Sequence, residues 1–179
     1  MVREISAGGV VVRHIDDVWW MAAIELPSDS SAVPRPSKRG ARTKGKAILC
    51  LPKGLVDPGE KPLDAAHREV REETGISAVL VTKLADIKYM YVRTWSGGER
   101  VFKIVTFYLL RYESGEIDDI SEAMRIEVAR AVWVRLEDGP KLLAYKGEKQ
   151  VARKALEYVT THAELRVGKL ENLSREPLP

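Results

Sequence analysis

The sequence has a single cysteine, Cys50, among 179 residues, which excludes an intrachain disulfide and any zinc site built from cysteines. Cys50 lies in a short apolar run (residues 47–51, AILCL) and reads as a small buried core residue. No apolar run is long enough to span a bilayer, so no transmembrane helix is expected. Residues 1–13 mix acidic and basic side chains around a short apolar stretch and lack a small-residue cleavage site, so they do not read as a signal peptide. A cytoplasmic setting is the resulting expectation. A large excess of one charge is missing too. The formal net charge is +3, far from the dense basic field of a dedicated nucleic-acid binder, but compatible with a small polyanionic ligand.

What is present suits one globular domain with a core of ordinary size. Residues 5–13 (ISAGGVVVR) read as a first strand and residues 18–26 (VWWMAAIEL) as its hairpin partner. Trp19 and Trp20 are adjacent and so point to opposite faces, one to the core and one to a rim. Residues 27–46 are rich in Pro, Ser, Gly and basic side chains with almost nothing to bury, and read as a mobile insert loop. Residues 47–51 form a short strand. Strand character returns at 79–84, then at 87–92 and 101–111 as a hairpin around Gly97-Gly98, and again at 131–134. Helical spacing of Val151, Ala155, Tyr158, Val159 and His162 predicts a helix over residues 148–166. The domain is expected to cover residues 1–166, with a fraying tail at 167–179.

The chemistry concentrates in residues 51–76, LPKGLVDPGEKPLDAAHREVREETGI. Pro62 suits the first helical position, Asp64 favours the first turn, and Gly75 suits a left-handed cap. These signals predict a helix from Pro62 to Thr74. At about 100° per residue, Leu63, Ala66 and Val70 share a buried stripe, while Glu69, Glu72 and Glu73 converge on an adjacent edge. Three like charges so close oppose one another and help nothing in a purely structural helix. A divalent cation among them would resolve the conflict. Carboxylate oxygens without nearby His or Cys suit Mg²⁺, with Mn²⁺ as a substitute.

Gly54, then Glu60 after five residues, Arg68-Glu69-Val70 after seven more, Glu72-Glu73 and Gly75-Ile76 together resemble the Nudix box at each defining position. Ala7-Gly8-Gly9-Val10, Leu51-Pro52-Lys53-Gly54 and Trp133 also resemble family features. The resemblance implies an α/β fold, a single-domain α/β/α sandwich with a mixed sheet. It implies hydrolysis of a nucleoside diphosphate linked to another moiety. Glu69, Glu72 and Glu73 would ligate metal with the Gly54 carbonyl, Arg68 would orient a carboxylate, and Glu60 would brace it. The general base stays open: Glu69 or Glu73 from the box, or a later carboxylate, with Glu122 and Glu127 as candidates.

For the substrate, the cluster Tyr89-Met-Tyr91-Val-Arg93-Thr-Trp95 offers aromatic faces for a base and a cation for phosphate. Tyr91 lies sixteen residues beyond Gly75, similar to a tyrosine of the family's dinucleoside polyphosphate hydrolases. Lys103 resembles a phosphate-contacting lysine, and Lys53 is a further candidate contact. No proline lies between Gly75 and Pro140, where ADP-ribose hydrolases tend to carry one. A dinucleoside polyphosphate is therefore the first expectation. Oxidised or noncanonical nucleoside triphosphates come next, then ADP-ribose, other sugar-linked diphosphates and inositol pyrophosphates. Two other classes are a non-catalytic nucleotide sensor, which an intact box disfavours, and RNA binding or decapping through the basic insert. A homodimer is compatible with the family.

Overall fold

The computed structural model describes residues 1–27, 47–93 and 97–166. The basic insert beyond Pro27, Trp95 and the tail 167–179 therefore lie outside the described residues. Seven strands and three α-helices are seen among those described: β1 (Val2–Ile15), β2 (Val18–Leu26), β3 (Ile48–Cys50), β4 (Lys53–Leu55), α1 (Pro62–Thr74), β5 (Ile76–Arg93), β6 (Glu99–Gly115), β7 (Arg130–Arg135), α2 (Gly139–Leu142) and α3 (Lys146–Thr161).

The strands form one mixed sheet in the order β3-β2-β1-β6-β5, with β4 on β1 and β7 on β2. Among the described residues only the β1–β6 pair is parallel; it runs from Val2↔Val101 to Val12↔Arg111. β1 and β2 meet through a two-residue turn at Asp16-Asp17, both with positive φ, which matches the twist of the flanking strands. They pair only from Val12↔Met21 to Ile15↔Val18 and then diverge. The diverging arms take different partners on their facing edges: Ile24–Leu26 of β2 pairs with β3, and Ser6–Gly8 of β1 pairs with β4. Residues 48–55 thus run inside a fork of the sheet, stitched by the Gly9 N–H donating to the Pro52 carbonyl at 3.2 Å.

Period-two alternation gives the sheet two apolar faces. Ala7, Val11, Ala22 and Leu110 pack with Ala65, Ala66 and Val70 of α1. Val10, Val12, Met21, Ala23, Phe107 and Leu109 pack with Val151, Ala152, Ala155 and Val159 of α3. Each layer shields one side, the sandwich expected of the sequence. Trp19 packs on the α3-side core, and Trp20 lines a shallow cleft with Arg13, Ile15 and Trp133. Cys50 is buried, and burial pushes its thiol up to about 12, so it is inert packing.

Three differences from the sequence reading have local causes. Residues 79–92 form one strand, because register shifts absorb the polar interruption and Asp86 accepts hydrogen bonds from Thr106 (2.7 Å) and Lys83 (2.9 Å). The last helix runs Lys146–Thr161, and Thr160 and Thr161 turn their hydroxyls onto carbonyls at Leu156 and Glu157 as it ends. β4 is three residues long and follows Pro52, too short to show a pattern. Among the described residues, no helix is long and apolar enough to cross a membrane.

Candidate active site

α1 has the bounds the sequence predicts, with Pro62 in its first turn and Gly75 as a left-handed cap at φ 80°. The Gly75 N–H donates to the Arg71 carbonyl at 2.9 Å. A Cβ on Gly75 would stand 2.6 Å from the Glu116 and Asp119 carbonyl oxygens, so the site demands glycine twice over. The buried face is broader than the expected stripe. Ala65, Ala66 and Val70 are fully covered and Leu63 only half, and Glu69 and Glu73 are buried as well, at 9% and 5% exposure.

Arg68 organises the acidic residues around it. Its Nε and Nη2 donate to the two Glu60 oxygens at 2.9 and 3.0 Å, and Nη2 also reaches the Leu55 carbonyl at 2.9 Å. Its Nη1 donates to Glu69 at 2.7 Å and to Glu72 at 3.2 Å. The bidentate arrangement is one that only a guanidinium can make. Glu60 also accepts from the Asp57 N–H at 3.0 Å; the Arg68 hydrogen bonds, with that one, hold its carboxyl down at about 2. Glu60 therefore stays ionised and anchors Arg68 to the loop before the helix.

Glu69 and Glu73 are perturbed the other way. Burial raises both, Glu73 up to about 8, with neighbouring carboxylates including Glu127 adding to each. The Lys53 N–H donates to Glu73 at 2.8 Å. Gly54 is in the closest approach of all: a Cβ there would fall 2.1 Å from the Glu69 carboxyl. Glu127, exposed at the end of a 3₁₀ turn (Glu122–Ile126), is brought to within electrostatic reach of Glu69 and Glu73, whereas Glu122 faces Arg125.

The donor chemistry suits a hard divalent cation: three carboxylates on one edge, two of them buried and destabilised as anions. As they stand, Glu69 and Glu72 are held by Arg68 and Glu73 by the Lys53 N–H, and among the described residues no three acidic, His or Cys side chains converge on one point. The edge is thus a set of carboxylates of the right chemical kind, each engaged by a protein donor.

A second, cationic group lies beside the first. Tyr91 donates to Glu4 at 2.8 Å, Arg93 pairs with the same carboxylate, and Lys103 Nζ stands 3.8 Å from it. Burial, then Lys53 and Arg93, bring Lys103 down to about 8, while Glu69 and Glu73 act in the opposite direction. Lys53 is engaged elsewhere: its ammonium pairs with Glu148 at 2.8 Å and lies 6.0 Å from the Tyr145 ring centre. Of the residues singled out from sequence, Gly54, Glu60, Arg68, Glu69, Glu72 and Glu73 come together, Glu127 acts on them only electrostatically, and Tyr91, Arg93 and Lys103 gather on Glu4. Glu4 and Glu148 were not foreseen. Each is distant in sequence from its partners, and a lone glutamate at a strand start or helix start carries no pattern to reveal it.

The NUDIX domain family model matches residues 32–156 of this chain. A mutator protein of Mycobacterium tuberculosis, MutT4, is 35% identical over 158 residues, covering 88% of this chain and 56% of the relative. An RNA pyrophosphohydrolase of Erythrobacter litoralis is 31% identical over 103 residues, covering 52% of this chain and 62% of the relative. The chain therefore spans less than two thirds of the length of either. Among solved structures, the Ap4A hydrolase of C. elegans in a binary complex superposes with a TM-score of 0.58 at 21% identity, covering 88% of this chain and 98% of that one. The NUDIX domain of Shewanella oneidensis NrtR, complexed with ADP ribose, does so with a TM-score of 0.64 at 15% identity, covering 89% and 90%. These two likenesses speak to the fold. With the family match spanning most of its length, and the box residues clustered around Arg68, the chain belongs to the NUDIX domain family.

Proposed function

We propose that this protein is a Mg²⁺-dependent pyrophosphohydrolase that cleaves a phosphoanhydride bond in a nucleoside diphosphate linked to another moiety, with a dinucleoside polyphosphate as the substrate class. The observation that carries the reading is the pairing of a buried acid edge, braced by Arg68, with a neighbouring group of cations and tyrosines. Glu69, Glu72 and Glu73, with the Gly54 carbonyl, would hold the cation, and Mn²⁺ would substitute for Mg²⁺. When bound, the cation supplies electrophilic charge to the phosphate oxygens and lowers the cost of attack at phosphorus.

The chain's own residues divide the remaining work. Arg68 holds Glu69 and Glu72 on one edge, and Glu60 holds Arg68. Burial raises Glu73, up to about 8, and a bound cation would favour its charged form. Glu127, exposed and acting electrostatically on Glu69 and Glu73, would be the carboxylate that takes a proton from an attacking water. Lys53, Arg93 and Lys103 would bind a phosphate chain, with Tyr91 offering a face for a base.

A second reading is hydrolysis of an oxidised or noncanonical nucleoside triphosphate. It is favoured by the relative named MutT4 and by an 8-oxo-(d)GTP phosphatase of Mycolicibacterium smegmatis, 31% identical over 104 residues. A non-catalytic nucleotide-sensing role would leave the complete acid edge without a task. A panel with Mg²⁺ of diadenosine tetraphosphate, 8-oxo-dGTP, ADP-ribose and an inositol pyrophosphate, with products identified, separates these readings. The expected result is fastest turnover of the dinucleotide to mononucleotides. Preferred turnover of 8-oxo-dGTP would replace the first reading with the second, and no turnover of any would remove the hydrolase.

A further inference from the structure

Glu148 is a buried carboxylate, 3% exposed, that neither the acid edge nor the Glu4 group uses. It sits in the first turn of α3, next to Gly147, where a Cβ would press 2.8 Å from the Ile87 side chain, so this turn is seated tightly on β5. One Glu148 oxygen accepts from the Leu51 N–H at 2.8 Å, and the other holds the Lys53 ammonium at 2.8 Å. Burying a carboxylate is costly unless its partners are good, and these two are.

Lys53 therefore meets two carboxylates at once. Its backbone N–H donates to Glu73 while its side chain is drawn back to Glu148, where it also donates to the Leu51 carbonyl at 3.3 Å. That backbone hydrogen bond sets the Glu73 carboxylate beside Lys53, within the span of the lysine's own side chain. A lysine side chain is a flexible stem carrying a point charge. Released from Glu148, it has Glu73 as the near carboxylate, and an ion pair formed there would compete with a divalent cation for that side chain.

We propose that Glu148 is a positioning residue that keeps the Lys53 ammonium off Glu73, so that the acid edge stays open to a divalent cation. The inference rests on the metal-dependent reading given above and adds a residue from the opposite layer of the sandwich. Glu148→Gln removes the charge but keeps an oxygen able to accept from the Leu51 N–H. Adding Lys53→Met then removes the competing ammonium.

The test is Mn²⁺ binding to the full chain without nucleotide, followed by the electron paramagnetic resonance signal of free Mn²⁺. Glu148→Gln should weaken binding roughly 10- to 100-fold, the usual effect of losing a residue that orients metal ligands. The double variant Glu148→Gln/Lys53→Met should return to within about threefold of the wild type, below the lower limit of that range. Unchanged binding in Glu148→Gln overturns the proposal. So does a double variant as weak as the single one, since Glu148 would then act only by holding the loop in shape. If Glu148→Gln fails to fold, the neutral double variant decides alone: near-wild-type affinity supports the proposal and a loss of tenfold or more sinks it. A wild type that binds no Mn²⁺ removes the metal-dependent reading and this inference together, whereas wild-type binding with an indifferent Glu148→Gln removes only the inference.

Discussion

Two carboxylates of one helix, four residues apart, are pushed toward the neutral form while a third stays in solvent, and this asymmetry gives separable predictions. Glu72→Gln should cut turnover by about two to three orders of magnitude, typical of losing a group that stabilises transition-state charge, with an unchanged melting temperature. Glu73→Gln should cut turnover comparably but raise the melting temperature at pH 8. The folded-state value near 8 lies above the ordinary carboxylate range, so the native state holds a proton that the unfolded state has released. Stability from this group is therefore greatest at low pH and falls as pH rises from about 4.5 through about 8. The stabilisation by Glu73→Gln should shrink toward zero by pH 5, each kcal/mol recovered appearing as about 2–4 °C. Melting curves at pH 5 and pH 8 check it; equal shifts at both would refute the burial argument. Arg68→Lys should lose activity although it keeps the charge, because an ammonium cannot hold Glu60 in two places and still reach Glu69.

At the scale of elements, the helix that carries the chemistry depends on its ends. Gly75→Ala must adopt a left-handed backbone, at about 1–2 kcal/mol, and in addition press its methyl into two carbonyl oxygens. Chemical denaturation should show a loss larger than that backbone cost alone. Much of α1 was legible from sequence because its signals are local: Pro62 at the start, Gly75 at the stop, and acids at spacings that place them on one edge. The same holds for β2 and β7, whose apolar runs are bounded by turns. What was not legible depends on contacts distant in sequence. Residues 85 and 86 fell between two expected strands, and hydrogen bonds from Thr106 on the neighbouring strand and from Lys83 hold Asp86 within a single strand. Lys53 read as a loop lysine with a phosphate role, and its buried partner Glu148 lies on a helix more than ninety residues further along the chain.

For the whole molecule, the sheet couples its two faces. Phe107 is 1% exposed in the α3-side core, while Leu110, three residues along the same strand, packs with Val70 of α1 on the other side. Phe107→Ala should cost about 3–5 kcal/mol. It should unfold both layers in one transition, seen as coincident loss of far-UV circular dichroism and tryptophan fluorescence; two separated transitions would contradict a shared core. Chelation should abolish hydrolysis and Mg²⁺ restore it, and saturating Mg²⁺ should raise the melting temperature in proportion to the logarithm of its concentration over Kd.

The fork between β1 and β2 has a practical corollary at its outer end. The Leu26↔Ile48 pair closes the base of the segment between them like the clasp of a loop of thread, so the register of the sheet does not depend on how much thread is there. A variant in which residues 28–46 are replaced by a short glycine–asparagine turn should therefore keep this register, which unchanged amide hydrogen exchange at Ile24 and Leu26 would check.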